Sequence, residues 1–178
     1  MRKLKNSELE RISVENFKSF EKTPIVVVLD NVRSALNVGS SFRTSDAFRV
    51  EKIYLCGITA TPPNKEIRKS ALGATESVEW EKVEDTESII KKLKSDGCHI
   101  CAIEQTENST MLNDFILPKK PIAAVFGNEV NGVQQSVVDL CNQCIEIPQI
   151  GTKHSLNISV SVGVVLWEVW KKVQEEMD

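Results

Sequence analysis

Short apolar runs alternate along the chain with stretches in which apolar positions recur every three or four residues. Runs bounded by polar turns predict strands, and the longer periodic stretches predict amphipathic helices. The strands expected are 24–29, 52–57, a short 77–80, 98–104, 121–126 and 144–148, with helices over 37–49, 64–72, 86–96, 133–141 and 155–173. Every residue of Ile25-Val26-Val27-Val28-Leu29 and of Ile122-Ala123-Ala124-Val125-Phe126 is apolar. Strands covered on both faces in the middle of a parallel sheet have that character. The alternation therefore predicts an α/β fold, a mostly parallel sheet flanked by crossover helices.

At 178 residues the chain suits one domain with a real core, and dividing it would starve both halves. Residues 1–23 read as an N-terminal arm or short helix, with Leu9, Ile12, Val14 and Phe17 as its sticky positions, ahead of a domain over 24–178. The hydrophobic share of 41% and charged share of 26% are ordinary for a globular protein, and no apolar run nears the roughly 20 residues of a membrane span. The basic start lacks the apolar stretch and cleavage site of a secretion signal, so a cytoplasmic protein is expected.

A net charge of −3 argues against a general nucleic-acid coat but permits a local basic face. Arg33, Arg43, Arg49, Lys52, Lys65, Arg68, Lys69, Lys153 and His154 fall near predicted loop ends, while acids crowd 76–87 and the last four residues. Cys98-x-x-Cys101 and Cys141-x-x-Cys144 look like two halves of a zinc site. Cys98 and Cys101, however, fall in one predicted strand, where residues three apart face opposite ways. The gap to Cys141 also far exceeds the roughly 15–20 residues of common ribbon sites. Buried free thiols and no metal are expected.

Ligands of open α/β sheets bind beyond the carboxyl ends of the strands, and three segments stand out there. After the first strand comes Asn37-Val38-Gly39-Ser40-Ser41-Phe42-Arg43-Thr44. Asn37 stands where a helix N-cap belongs, and the small residues behind it leave backbone N–H groups open to an anion such as phosphate. A blander reading makes Asn37 a cap only and pairs Arg43 with Asp46. After the fifth strand, in Phe126-Gly127-Asn128-Glu129, Gly127 would admit a ligand to the backbone and Glu129 would gain from a following helix end. Third, the loop Ile147-Pro148-Gln149-Ile150-Gly151-Thr152-Lys153-His154-Ser155-Leu156-Asn157 runs into an unusually apolar helix. A dinucleotide glycine fingerprint and an NTP phosphate loop are both missing, which removes most ground for a dinucleotide-dependent oxidoreductase.

In this order the three segments resemble the SpoU/TrmH family of RNA 2′-O-ribose methyltransferases in the SPOUT superfamily, over about 24–172. The resemblance implies a parallel sheet with a C-terminal deep trefoil knot, S-adenosylmethionine as cofactor, and a tRNA or rRNA substrate. It implies a homodimer with the site near the subunit interface. The helix bearing Val160, Val162, Val164, Val165, Leu166, Trp167, Val169 and Trp170 agrees, since it is apolar around most of its circumference. Ser159, Ser161 and Gly163 on that helix would allow close approach.

Carried over by position, the pattern makes Gly127, Ile147 and Leu156 the cofactor contacts and Asn37, Arg43, Glu129, Ser155 and Asn157 the catalytic set, without a metal. A guanidinium is too basic to serve readily as a general base, so Arg43 is read as gripping the target phosphate, with Ser155 and Asn157 orienting it and the ribose. Arg43, Lys65, Arg68, Lys69 and Lys153 are candidate RNA contacts. His154 is a candidate base by chemistry alone. With only a short arm to read RNA, the expectation is either that the dimer face reads RNA shape or that an accessory protein makes the substrate choice. Two readings stand beside ribose methylation: an RNA-binding module with a relic cofactor site, and a SPOUT enzyme that methylates a base.

Overall fold

The structure, a computed structural model, describes residues 1–177. In chain order its elements are α1 (Val14–Ser19), β1 (Thr23–Asp30), α2 (Ala35–Ala47), β2 (Val50–Cys56), α3 (Lys65–Ala71), α4 (Ala74–Ser77), β3 (Glu79–Val83), α5 (Thr86–Ser95), β4 (His99–Ile103), β5 (Thr110–Met111), β6 (Ile122–Phe126), α6 (Gln135–Val138), β7 (Gln143–Glu146) and α7 (Ile158–Met177). The seven strands make one sheet in the order β3-β2-β1-β6-β4-β7-β5, and every pairing is parallel.

The wholly apolar strands take the central places. In β1, Ile25, Val27 and Leu29 face one helical layer while Val26 and Val28 face the other, and β6 divides in the same way. The first layer holds α1, α2, α3 and α7, meeting the sheet through Phe17, Val38, Phe42, Ile67, Val162, Val165 and Val169; the second holds α5 and α6, through Ile89, Ile90, Leu93 and Val137. Two late strands take places between earlier ones. β6 inserts between β1 and β4, and β7 between β4 and β5. Strands 25–29 and 122–126 thereby become direct neighbours across about a hundred residues of chain, with Val27 opposite Ala124.

Several boundaries depart from the sequence expectation. The helix expected over 133–141 is a single turn at Gln135–Val138, and the last helix starts at Ile158, leaving Ser155, Leu156 and Asn157 in the loop. The two-residue β5 and the one-turn α4 were unforeseen, being too short for a periodic signal. In the arm Phe17 is buried against the core, whereas Leu9 and Ile12 are exposed. Cys98 lies just before β4, outside the strand whose alternating faces were expected to separate it from Cys101. All five cysteines are free, but only Cys56 and Cys101 are buried; Cys98, Cys141 and Cys144 are half-buried. Burial pushes the Cys56, Cys101 and Cys141 thiols up to about 12, which keeps them protonated and inert. Among the described residues no helix is long and apolar enough to cross a membrane, and no group of three or more His, Cys, Asp or Glu side chains is placed to hold a metal.

Small residues in α2 serve packing. A side chain at Gly39 would collide with the Ser70 hydroxyl and the Ile67 carbonyl, so glycine here sets how closely α2 approaches α3. Within the chain a Cβ at Gly163 would meet only Thr44, at ordinary van der Waals distance.

Candidate functional site

A cavity of about 730 Å³ opens beyond the carboxyl ends of β4, β6 and β7. Ile103 and Glu104 line it from β4, the loop from Gly127 to Val133 from β6, Ile145, Glu146 and Ile147 from β7, and Ser155, Leu156 and Asn157 from the loop before α7. Three carboxylates line it, with neither lysine nor arginine among the lining residues. Its volume lies within the usual span for small-molecule sites, about 300–1,000 Å³.

The loop after β6 is shaped by Asn128. Its backbone exchanges hydrogen bonds with Gly132 at 2.9 Å in both directions, its Oδ1 accepts from the N–H groups of Val130 and Asn131, and its Nδ2 donates to the Asn31 carbonyl at 2.8 Å. A Cβ at Gly127 would strike the backbone of Gly132 and Val133. Glycine is thus required by closure of the loop itself, before any ligand is considered. The far end of the loop is tied to β1. Asp30, fully buried, accepts from Gln134 N at 3.1 Å, Gln134 Nε2 at 2.9 Å, Thr86 Oγ1 at 2.6 Å and Asn31 Nδ2 at 2.9 Å. Four donors satisfy a carboxylate that would otherwise be very costly to bury.

Residues of the three sequence segments meet in one chain of hydrogen bonds. Glu129 accepts from Arg33 N at 2.9 Å, Ser34 N at 3.0 Å and Asn37 Nδ2 at 3.0 Å, and Asn37 Oδ1 accepts from Asn157 Nδ2 at 3.2 Å. Two expectations are corrected here. Ser34, not Asn37, caps α2: Ser34 has extended backbone and its Oγ accepts from Asn37 N, which places Asn37 inside the first turn. Gly39, Ser40 and Ser41, whose N–H groups were expected to meet a phosphate, lie inside α2, while Glu129 meets the N–H groups of Arg33 and Ser34 just ahead of it, so this carboxylate serves the helix before it in the chain and not the one that follows. Burial pushes the Glu129 carboxyl up, but the N–H groups of Arg33 and Ser34 and the Asn37 amide outweigh it and hold the group below the usual carboxylate range. Asn157 also fixes α7, its Oδ1 accepting from Ser159 N at 2.9 Å and Ser159 Oγ at 2.7 Å.

Gly127, Ile147, Leu156, Ser155, Glu129 and Asn157 line the cavity, and Asn37 joins them through its two hydrogen bonds. Arg43 does not. It is exposed on α2, outside the cavity lining, and Asp46 takes a hydrogen bond from Ser77 where a pair with Arg43 was conceivable. Lys65, Arg68 and Lys69 are exposed on α3, and Lys153 is exposed in the loop before α7. His154 lines the cavity, and its carbonyl accepts from Gln105 Nε2 at 2.6 Å, tying that loop to the segment after β4. Sequence reasoning missed Asp30, Asn128 and Glu104. The rule that ligands gather beyond strand ends could have found Asp30 and Glu104, each of which stands at such an end.

A parallel α/β sheet whose late loops form a cavity beyond the strand ends, lined by residues of the second and third motifs and hydrogen-bonded to Asn37 of the first, defines a protein of the SpoU type. The family model described as SpoU rRNA Methylase matches residues 24–167, and the chain belongs to that family. The TrmH/SpoU tRNA modifying enzyme of A. aeolicus has a similar structure, with a TM-score of 0.82 and 27% identity over 92% of this chain and 82% of that one. An AdoMet-bound rRNA methyltransferase from Sinorhizobium meliloti superposes with a TM-score of 0.79 and 25% identity, over 87% of this chain and 59% of that one. The 23S rRNA (guanosine-2'-O-)-methyltransferase RlmB of Neisseria meningitidis is 30% identical over 151 residues, 85% of this chain and 60% of its own length. The chain spans between 56% and 63% of the first curated relatives it matches.

Proposed function

We propose that the protein transfers a methyl group from S-adenosylmethionine to the 2′-hydroxyl of a ribose in tRNA or rRNA. The observation that carries this reading is the Glu129–Asn37–Asn157 chain, which brings the three segments together beside one cavity. The relatives' names supply the reaction class. The residues fit the cofactor. Ile103, Phe126, Ile147 and Leu156 offer apolar walls to an adenine, while a lining with carboxylates and without lysine or arginine suits a cationic sulfonium. Gly127, Ile147 and Leu156 hold it in this reading. When bound, it supplies the methyl group in an activated, electrophilic form.

The chain's own residues then bind and orient. Glu129 and Asn37 fix the start of α2 against the loop after β6, and Asn157 fixes the start of α7 against Asn37. Ser155 faces the cavity and positions the ribose. Arg43, with Lys65, Arg68, Lys69 and Lys153, grips RNA phosphates, which position a substrate without reading its sequence. The hydroxyl proton passes to a substrate phosphate or to solvent.

The homodimer belongs to this reading. Val160, Val164 and Trp167 recur at i, i+4 and i+7 on α7 and are 50%, 37% and 52% exposed, and Leu36 on α2 is exposed as well. Trp167 packs edge-on to Phe48 with ring centroids 6.2 Å apart and tilted against Trp170 at 5.4 Å, presenting a stiff aromatic edge at that stripe. A second copy covering this face also brings a second Arg43, which suits a site whose own Arg43 stands outside the cavity. The trefoil knot is part of the same proposal, supported by the late insertion of β6 and β7 and by the tie from Gln105 to His154. A cytoplasmic location and an accessory protein for RNA choice complete it.

The test is transfer of labelled methyl from S-adenosylmethionine to total RNA from cells lacking the protein, followed by digestion to nucleosides. Label in a 2′-O-methylnucleoside supports the proposal. Label on a base replaces the chemistry, and a protein that binds no S-adenosylmethionine is the relic module.

A further inference from the structure

Glu104, at the carboxyl end of β4, has no part in the motifs or in the proposed catalysis, yet it lines the cavity beside the loop after β6. Its two oxygens are fixed separately: Oε1 accepts from Gln105 N at 2.9 Å and Oε2 from Val133 N at 3.0 Å. Each oxygen keeps a second lone pair. The other lining carboxylates are differently engaged. Glu129 is turned to the three donors at the start of α2, and Glu146 takes the Ser109 hydroxyl at 2.7 Å. Of the lining residues, only His154 can carry positive charge.

We infer that Glu104 is a specificity-determining residue that favours the sulfonium cofactor over its thioether product. The inference rests on the cofactor reading above. Methyl transfer converts a positively charged sulfonium into a neutral thioether. A carboxylate held rigidly in the cavity wall therefore attracts the reactant by charge and gives the product no such attraction. Product release is helped by the chemistry itself, with no need for a moving lid. The alternative is a purely structural Glu104 that pins Val133, and the two differ in what they do to the ratio of two affinities.

The experiment measures dissociation constants of S-adenosylmethionine and S-adenosylhomocysteine by calorimetry, for the full chain and for Glu104→Gln. Glutamine keeps the shape and one acceptor while removing the charge. The expected result is a shift of the affinity ratio by roughly fivefold toward the product, the size of a unit charge acting across such a cavity at a dielectric between protein and water. The shift shrinks in high salt. Equal weakening of both ligands, or no change in either, overturns the inference in favour of a structural role. If the variant does not fold, the wild-type protein is tested with sinefungin, which carries an amine where the cofactor carries its sulfonium. A preference for sinefungin over S-adenosylhomocysteine that falls with salt supports the inference, and a salt-independent ratio overturns it. Wild-type protein that binds none of these compounds sinks the cofactor reading itself, a result distinct from an unmoved ratio.

Discussion

Replacing Glu129 with glutamine tests the link between the first two motifs. The carboxylate receives two backbone N–H groups at the start of α2 and the Asn37 amide, while its own residue remains exposed. A negative charge at an exposed helix N-terminus is worth about 0.3–1 kcal/mol. Glutamine keeps one acceptor for three donors and adds an amide that must turn away, so the total loss at pH 7 is about 1 kcal/mol, the scale of a lost cap. For a protein of this size that lowers Tm by about 2–4 °C. The folded-state carboxyl lies below its ordinary value, so its contribution is complete above the unfolded carboxylate pKa and disappears as pH falls through the folded one. Urea unfolding followed by circular dichroism should show a full gap between wild type and Glu129→Gln at pH 7. The gap should hold to about pH 5 and close only as pH falls below the ordinary carboxylate value of about 4.3. A gap of equal size at acid pH, or none at pH 7, would refute the assignment of Glu129 to the α2 terminus.

Arg43→Ala should abolish methyl transfer to RNA while leaving S-adenosylhomocysteine affinity within a few fold by calorimetry, because Arg43 stands outside the cavity lining; equal loss of both would place it in the cofactor site. Trp167→Glu puts a charge into the exposed α7 stripe and should yield monomers in sedimentation velocity with an unchanged far-ultraviolet spectrum, whereas a wild-type protein already monomeric would remove the dimer from the proposal. Gly39→Ala forces a methyl group against Ser70 and Ile67, an overpacking cost of about 1–3 kcal/mol, offset by about 1 kcal/mol of helix propensity. Thermal unfolding should therefore show a net loss, and a stabilised variant would mean that α2 and α3 can separate freely.

Local pattern determined much of this protein. Apolar runs without alternation identified β1 and β6 as strands covered on both faces, because a central parallel strand tolerates no polar side. The two polar loops that line the cavity, and the α2 segment hydrogen-bonded to them, were legible as segments, because ligands of open α/β sheets gather beyond the strand ends. Tertiary structure alone decided what those residues do. Ser34 and Asn37 are both acceptable caps by composition, and only the backbone path, extended at Ser34, selected between them. Glu129 precedes a one-turn helix in sequence but binds the start of another, reaching Asn37 92 residues away, because β6 inserts beside β1 and carries its loop to the start of α2. That insertion leaves no local trace, since strand order is set by which apolar faces are covered together. The same holds for Asp30 and Glu104. A single acid at the end of a strand reads alike whether it is solvated, bound to four donors or set in a cavity wall, and only the folded neighbours distinguish these.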